Sequence, residues 1–495
     1  MRIITHYVDG ELTPGTSELS APVFDPATGV QQAQVVLASI ADVDAVVQSS
    51  VLALDSWRRS SLSTRASIMF KFRALMDASR HELAQLISSE HGKVPSDALG
   101  EIARGMENVE FSCGIPALLK GEYSEQVSAG VDVYSLRQPV GVVAGITPFN
   151  FPAMVPMWMF ANAIMCGNCF ILKPSEKDPS AALFMADLLT QAGLPPGVFN
   201  VLQGDKVAVD RLLEHPQVKA LSFVGSTPIA HYVYETGTAQ GKRVQALGGA
   251  KNHMLVLADA DVSAAADAAV SAAFGSAGER CMAISVIVAV GEVADQLIPA
   301  LTERISAIVV GPGTDPDAEM GPLITRQHCD KVRSYLDGAA QAGAKVVVDG
   351  RELSVPGNGY FLGASLIDDV TAEMDLYIDE IFGPVLILMR VDTYEQGLDL
   401  INNNQYGNGT AIFTRDGGAA RKFQSEVEVG MVGINVPIPV PIAAYSFGGW
   451  KSSLFGDLHM YGPDGIKFYT RNKVVTSRWP DPATSSVNLG FPVNN

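Results

Sequence analysis

Cys281 lies in the stretch Phe274–Ser285, FGSAGERCMAIS, just after a run of small residues and the charged pair Glu279–Arg280. A fixed positive charge beside a thiol favours the thiolate, which is the nucleophilic form, so Arg280 is expected to activate Cys281. Gly275 and Gly278 allow a tight turn and a close approach of backbone to a ligand. The β-branched apolar run Ile284–Val290 that follows reads as a buried strand. Cys281 thus sits on a loop feeding a rigid element, where reactive groups are often held. Taken alone, the stretch equally permits an inert core cysteine.

Other polar candidates fall where apolar runs end. Pro139–Ile146 is continuous and apolar, as suits a central strand of a parallel sheet. It leads into Thr147-Pro148-Phe149-Asn150-Phe151-Pro152, a loop stiffened by two prolines. A strand over Cys169–Leu172 ends in Lys173-Pro174-Ser175-Glu176-Lys177. Strands over Val198–Leu202 and Leu221–Val224 follow, the latter ending in Gly225-Ser226 at the start of a helix. Helices over Ala153–Cys166 and Ala181–Gly193 alternate with these strands. That alternation implies a doubly wound parallel sheet with ligands at the carboxyl ends of its strands. The G-x-G-x-x-G fingerprint is absent. Gly225-Ser226 at a helix start nevertheless suits a phosphate. A carboxylate at Glu176 can accept both hydroxyls of an adenosine ribose, and Lys173 can donate to them. The same carboxylate disfavours a 2′-phosphate, which selects NAD over NADP. An ordinary surface ion pair is the alternative for Lys173 and Glu176, and a solvated helix residue the alternative for Arg104.

The supporting elements follow the same pattern. Asp9-Gly10 signals a hairpin. Ile40–Arg59 and Ser63–Lys93 have helical periodicity, with Asp42 and Ser63 as expected N-caps. Val127–Leu136 alternates like an exposed arm strand. A second α/β unit runs from about Lys251 to Val440, with helices over Val262–Phe274 and Thr325–Ala342 and the loop Glu380-Ile381-Phe382-Gly383-Pro384. Gly465–Lys473 reads as strand and Pro480–Asn495 as turn-rich. The 495 residues are too many for one compact core on a prior of ~100–200 residues per domain.

The net charge of −18 and the lack of any basic run argue against nucleic acid as a partner. The longest apolar stretches are too short to span a bilayer, and no signal peptide is evident. Five cysteines, an odd count, suit a reducing compartment, here the cytoplasm, rather than a disulfide framework. Cys166 and Cys169 form a C-x-x-C inside an apolar strand entry with no partners for a redox or zinc role. No metal site is expected.

TPFNFP, KPSE, SFVGST, the GERC loop and EIFGP together resemble the aldehyde dehydrogenase superfamily, in its order and at compatible spacing over the whole chain. The resemblance implies two doubly wound α/β domains with parallel sheets plus a small β oligomerisation arm. Residues 1–123 and 142–250 would form the NAD-binding domain, 251–464 the catalytic domain, and 124–141 with 465–495 the arm of a homodimer or homotetramer. It implies Cys281 as nucleophile and Asn150 as oxyanion donor. It also implies cofactor contacts at Thr147, Pro148, Phe149, Lys173, Glu176, Lys177, Gly225, Ser226 and Gly248, with Glu380 on the nicotinamide ribose and Phe382 against the ring.

One departure is informative. Hydrolytic members carry a Glu before Leu-Gly-Gly, which activates water. Here the segment is Gln245-Ala246-Leu247-Gly248-Gly249-Ala250, and the nearest upstream acid is Glu235. A thiol attacks a thioester better than unactivated water does, which points to acyl transfer to coenzyme A. QALGGAKNH, GERCMA and INVPIPVPIAAYSFGGWKSS are similar to the coenzyme A-acylating methylmalonate-semialdehyde dehydrogenases. That likeness implies a small semialdehyde substrate bearing a carboxylate. Arg280 and Arg104 are the expected cations for it. A hydrolytic enzyme with an unusual base and a non-catalytic protein of the same fold are the competing readings.

Overall fold

The computed structural model describes residues 1–479 and residue 483. Two large sheets carry the chain. In the first, of eight strands, five run parallel: Arg243–Leu247, Val218–Val224, Val142–Ile146, Cys169–Lys173 and Phe199–Val201, in that spatial order. The short hairpin His6–Val8/Glu11–Thr13, turning at Asp9-Gly10, closes one edge, and Leu454–Phe455 pairs antiparallel on the other. In the second, of seven strands, Ser365–Asp368, Val385–Val391, Ile284–Val290, Asn252–Val256, Gly409–Phe413 and Met431–Ile434 run parallel. Lys345–Val348 is an antiparallel edge. The central strands are buried along nearly their whole length, which explains their largely apolar composition. Each sheet has its own apolar core. A separate antiparallel sheet joins Thr470–Arg478, Val131–Pro139 and Tyr123–Ser128 and projects large exposed side chains such as Tyr123 and Val474. No helix among the described residues is long and apolar enough to cross a membrane.

Three local expectations are corrected. Helix Ile40–Trp57 is capped by Ser39, not Asp42. Asp42 stands three residues in, its carboxylate accepting the Ser39 N–H at 2.9 Å while Ser39 Oγ accepts the Asp42 N–H at 3.2 Å. Helix Leu62–His91 is capped by Ser61, not Ser63. Gly462–Tyr469 is a helix, and strand begins only at Thr470. Its buried Ile466, Phe468 and Tyr469 fit a period of two as well as a helix face, and packing decides between them. A Cβ at Gly465 would lie 2.8 Å from Asn162 Nδ2, so this helix rests directly on helix Met154–Met165. The stretch 480–495 lies, apart from residue 483, outside the described residues.

Candidate active site

Helix Val262–Phe274 stops at a loop whose backbone is unusual. Ser276 and Ala277 hold φ of 53°, and Gly278 follows at 74°. Left-handed conformations cost a non-glycine residue ~1–2 kcal/mol each, so surrounding packing must impose them. Gly278 presses against the Glu380–Pro384 loop, where a Cβ would lie 2.2 Å from Gly383 O. Gly275 differs from expectation. Its φ is an ordinary −54°, and its lack of a side chain instead makes room for the Arg280 guanidinium, which a Cβ would meet at 2.4 Å.

The loop delivers Cys281 to the junction of two cavities. One, of about 240 Å³, is lined by Pro148, Phe149, Asn150, Gly225, Ser226, Gly248, Glu380 and Phe382. The other, of about 440 Å³, is lined by Arg104, Arg280, Asp97, Glu101, Trp158 and Phe447 among others. Cys281 borders both. Residues from both sheets therefore converge at one sulfur, and the inert-core reading of Cys281 falls away.

The Asn150 side chain points into the cysteine loop, donating from Nδ2 to Glu279 O at 3.0 Å. Its backbone is fixed by a buried ion pair. Lys93 Nζ donates to Asn150 O at 2.6 Å and to Glu101 Oε2 at 2.8 Å. Glu101 Oε1 accepts the N–H groups of Ala153 and Met154 at the head of helix Met154–Met165. A carboxylate is favoured at a helix N-terminus. Cys281 is clamped from the other side: Asn252 and Asn408 donate to its carbonyl at 2.9 and 3.0 Å.

The electrostatics differ from the sequence expectation. Burial pushes the Cys281 thiol up to about 12, the Glu380 carboxylate adds to the rise, and Arg280 offsets it only in part. Arg280 is not a free charge, because its Nη2 donates to Asp97 Oδ1 at 2.6 Å. Arg280 thus acts in the expected direction, lowering the thiol, but burial outweighs it. Glu380 accepts the Ala250 N–H at 2.9 Å. Burial pushes its carboxyl up to about 7, with the Ala250 N–H and Lys251 opposing. Cys166 and Cys169 are buried, and burial raises both thiols to about 12.

Arg104 and Arg280 face the larger cavity together. Arg104 Nη1 binds both oxygens of Glu107, and its Nη2 donates to the Val440 and Pro441 carbonyls at 3.3 and 3.1 Å. Arg280 is less committed, since its Nε is buried without a partner among the described residues.

At the end of strand Cys169–Lys173, Lys173 Nζ donates to Gly204 O at 2.7 Å and stands 3.6 Å from Glu176. Lys177 lies 3.8 Å from the same carboxylate. Burial raises the Glu176 carboxyl, but Lys173 and Lys177 outweigh it and hold the group below its ordinary value, so it is anionic at neutral pH. These groups fit a dinucleotide. Helix Thr227–Ala239 starts at Ser226, which makes no side-chain cap and leaves the first N–H groups to a ligand. Thr147 Oγ1 is buried without a partner. Gly248 is pressed so close that a Cβ would lie 2.6 Å from Ser452 O.

Several residues at this site were not anticipated: Asp97, Glu101, Lys93, Asn252, Asn408 and His328. Lys93 and Glu101 carry no local signal, because the carbonyl and helix end they serve are distant in sequence. Asn252 lies in a quoted motif, QALGGAKNH, and could have been singled out. At the strand end where a hydrolytic base would stand, Gln245 is buried and turned to Ser222 and the carbonyls of Leu458 and His459, and Ala246 is fully buried. The acid that does line the smaller cavity is Glu380.

The aldehyde dehydrogenase family profile matches residues 13–475. The chain belongs to the aldehyde dehydrogenase family. Within that family it is 54% identical to a malonate-semialdehyde dehydrogenase of Pseudomonas aeruginosa over 496 aligned residues, covering 99% of this chain and 100% of that one. Among solved structures, a Sinorhizobium meliloti protein in complex with NAD is 53% identical with a TM-score of 0.97, covering 98% of this chain and 99% of that one. A methylmalonate-semialdehyde dehydrogenase from Oceanimonas doudoroffii is 55% identical with a TM-score of 0.96, at the same coverage.

Proposed function

We propose that this aldehyde dehydrogenase oxidises malonate and methylmalonate semialdehyde with NAD and passes the acyl group from Cys281 to coenzyme A. The observation that carries the reading is the pairing of two arginines in the Cys281 cavity with the missing carboxylate at Gln245–Ala246. A β-carboxylated aldehyde matches the first, and a thiol acceptor matches the second.

The chain's own residues do the following. Arg280, which borders the cavity, receives the substrate carboxylate, and Arg104 adds positive charge to the same wall. Cys281 gives its thiol proton to water and attacks the aldehyde carbon to give a tetrahedral oxyanion. The second N–H of the Asn150 amide, beyond the one held by Glu279 O, and the Cys281 backbone N–H donate to that oxyanion. One such donor is worth ~2.7–4 kcal/mol of barrier. Bound NAD supplies the acceptor for the hydride. Gly225, Ser226 and Gly248 approach the cofactor through backbone. Lys173 and Glu176 take its ribose hydroxyls, with Thr147, Pro148, Phe149 and Lys177 beside them. Phe382 faces its ring and Glu380 the second ribose. The resulting thioester lies β to a carboxylate. Loss of CO₂ leaves the bonding electrons as an enolate conjugated with the thioester, and protonation gives acetyl or propionyl enzyme. The coenzyme A thiolate then attacks the thioester, and Cys281 leaves as the thiolate, which takes up a proton from water.

On this reading residues 1–123 and 142–250 bind NAD, residues 251–464 supply the chemistry, and the strands Tyr123–Ser128, Val131–Pro139 and Thr470–Arg478 form the arm of a homodimer or homotetramer.

A second reading has an observation of its own. Glu380, with its carboxyl near 7, lines the smaller cavity that Cys281 also borders and could deprotonate water. NADH formation from malonate semialdehyde separates the two. Dependence on coenzyme A, with acetyl-coenzyme A as product, is expected. Steady release of free acid without coenzyme A, abolished by Glu380→Gln, would establish hydrolysis instead.

A further inference from the structure

Arg280 forms a wall shared by two sizeable cavities. One is the Cys281 cavity of about 440 Å³. The other, of about 430 Å³, lies beyond it and is lined by Asp267, Glu319 and Arg304 together with Gly275 and Phe274. The guanidinium therefore has acidic side chains on both sides. Asp97 borders the Cys281 cavity, whereas Asp267 and Glu319 border the outer one. In the structure the ion pair is made with Asp97, at 2.6 Å, and Gly275 forms the floor on which the guanidinium lies. Asp267 is taken by Arg304, and Glu319 Oε2 accepts the Val309 N–H at 3.0 Å.

We infer that Asp97 is a specificity-determining positioning residue, tethering the Arg280 guanidinium to the Cys281 side so that it meets the carboxylate of the substrate. The inference rests on the reading that Arg280 receives that carboxylate. A charge-assisted hydrogen bond of this kind is directional, and it uses only Nη2 of the planar Arg280 fork, which also borders the Cys281 cavity. Without the tether the guanidinium is free to turn toward the outer cavity that Glu319 and Asp267 line, and Gly275 offers no steric barrier to its swing.

Two blander roles give different predictions. Asp97 lies in the first turn of helix Pro95–Cys113, where any carboxylate favours the helix dipole. That role changes stability and leaves substrate preference alone. If instead Asp97 acts only as a nearby negative charge, removing it relieves repulsion and lowers KM for a carboxylated aldehyde. The tether predicts the opposite sign.

The test is the ratio of KM for malonate semialdehyde to KM for propanal in the full-length enzyme, with NAD affinity as the control for folding. Arg280→Leu and Asp97→Ala are both expected to raise that ratio about tenfold or more, the scale of one charge-assisted hydrogen bond. Asp97→Asn keeps an acceptor oxygen at the same reach and is expected to stay near the wild-type ratio. Asp97→Glu keeps the charge but displaces the acceptor, folds readily in a first helical turn, and is expected to raise the ratio. If Arg280→Leu raises the ratio while Asp97→Ala and Asp97→Glu leave it level or lower it, the tether is overturned and the carboxylate reading survives. If Arg280→Leu leaves the ratio level, the carboxylate reading falls and takes the tether with it.

Discussion

The cavity on the Gly225 side of Cys281 has three glycines in its wall, and the one on the Arg104 side has two ion-paired arginines set among apolar side chains. The first presents Gly225, Gly248 and Gly249 at a helix N-terminus and a strand end, so its shape is set by where the chain can come close. The second presents Asp97, Glu101, Arg104 and Arg280 among apolar residues such as Trp158 and Phe447, and where its charges lie is set by which acid holds which base. A backbone-lined site suits a ligand recognised by its phosphates and flat rings. A site lined by paired charges suits a small anion and can be retuned by one substitution. Cys281 stands where the two meet and serves both.

The comparison can be broken first at the residue the cavities share. Cys281→Ala is expected to abolish aldehyde oxidation while NAD still binds, as measured by NADH formation and by cofactor titration. Loss of NAD binding as well would mean that the two cavities do not act independently. Asn150→Ala comes next, with kcat expected to fall about 10²–10³-fold and the affinity for NAD nearly unchanged. A change confined to KM would remove Asn150 from the oxyanion.

The cofactor side is sharpened by Glu176→Gln. Glu176 is anionic at neutral pH because Lys173 and Lys177 outweigh its burial. Neutralising it is expected to narrow the preference for NAD over NADP several-fold, on the scale of one near-surface charge interaction. An unchanged ratio of kcat/KM values would place the ribose elsewhere.

The smallest effect concerns pH. The thiol of Cys281 lies at about 12 in the free enzyme, so its alkylation by iodoacetamide rises with pH through the neutral range. Glu380 becomes anionic as pH rises through about 7 and then opposes formation of the thiolate. Glu380→Gln is therefore expected to speed alkylation a few-fold above pH 7 and to leave it unchanged well below. Slower alkylation in the variant would make Glu380 the base that removes the thiol proton.

Sequence and structure agree unevenly across the two cavities, and the reason is physical. The cofactor side was legible because its residues act through local geometry: a strand end, two prolines, a glycine opening a helix. Thr147–Asn150 and Gly225-Ser226 fell where the βα alternation placed them, whereas Gly248, implied by the resemblance alone, follows a strand over Arg243–Leu247 that the pattern did not show. The helix Val262–Phe274 and strand Ile284–Val290, which hold the cysteine loop, were readable to the residue from their apolar runs. The substrate side was only half legible. Arg280 and Arg104 stood out as cations, but their partners did not. Asp97 lies 183 residues before Arg280, and the carbonyls that hold Arg104 lie 336 and 337 residues after it. Reading Arg280 without Asp97 made it an activator of Cys281, which burial overrules. The helix Gly462–Tyr469 was misread for the same reason: contact with Asn162, not its own pattern, decides its form.

The account turns on a covalent acyl group at Cys281 that waits for a thiol. Intact-protein mass measurement, after mixing the enzyme with malonate semialdehyde and NAD in the absence of coenzyme A, tests this directly. The account predicts an acetyl mass on Cys281 that persists, then disappears on adding coenzyme A as an equal amount of acetyl-coenzyme A forms. An unmodified Cys281 together with continuing release of free acid would contradict it.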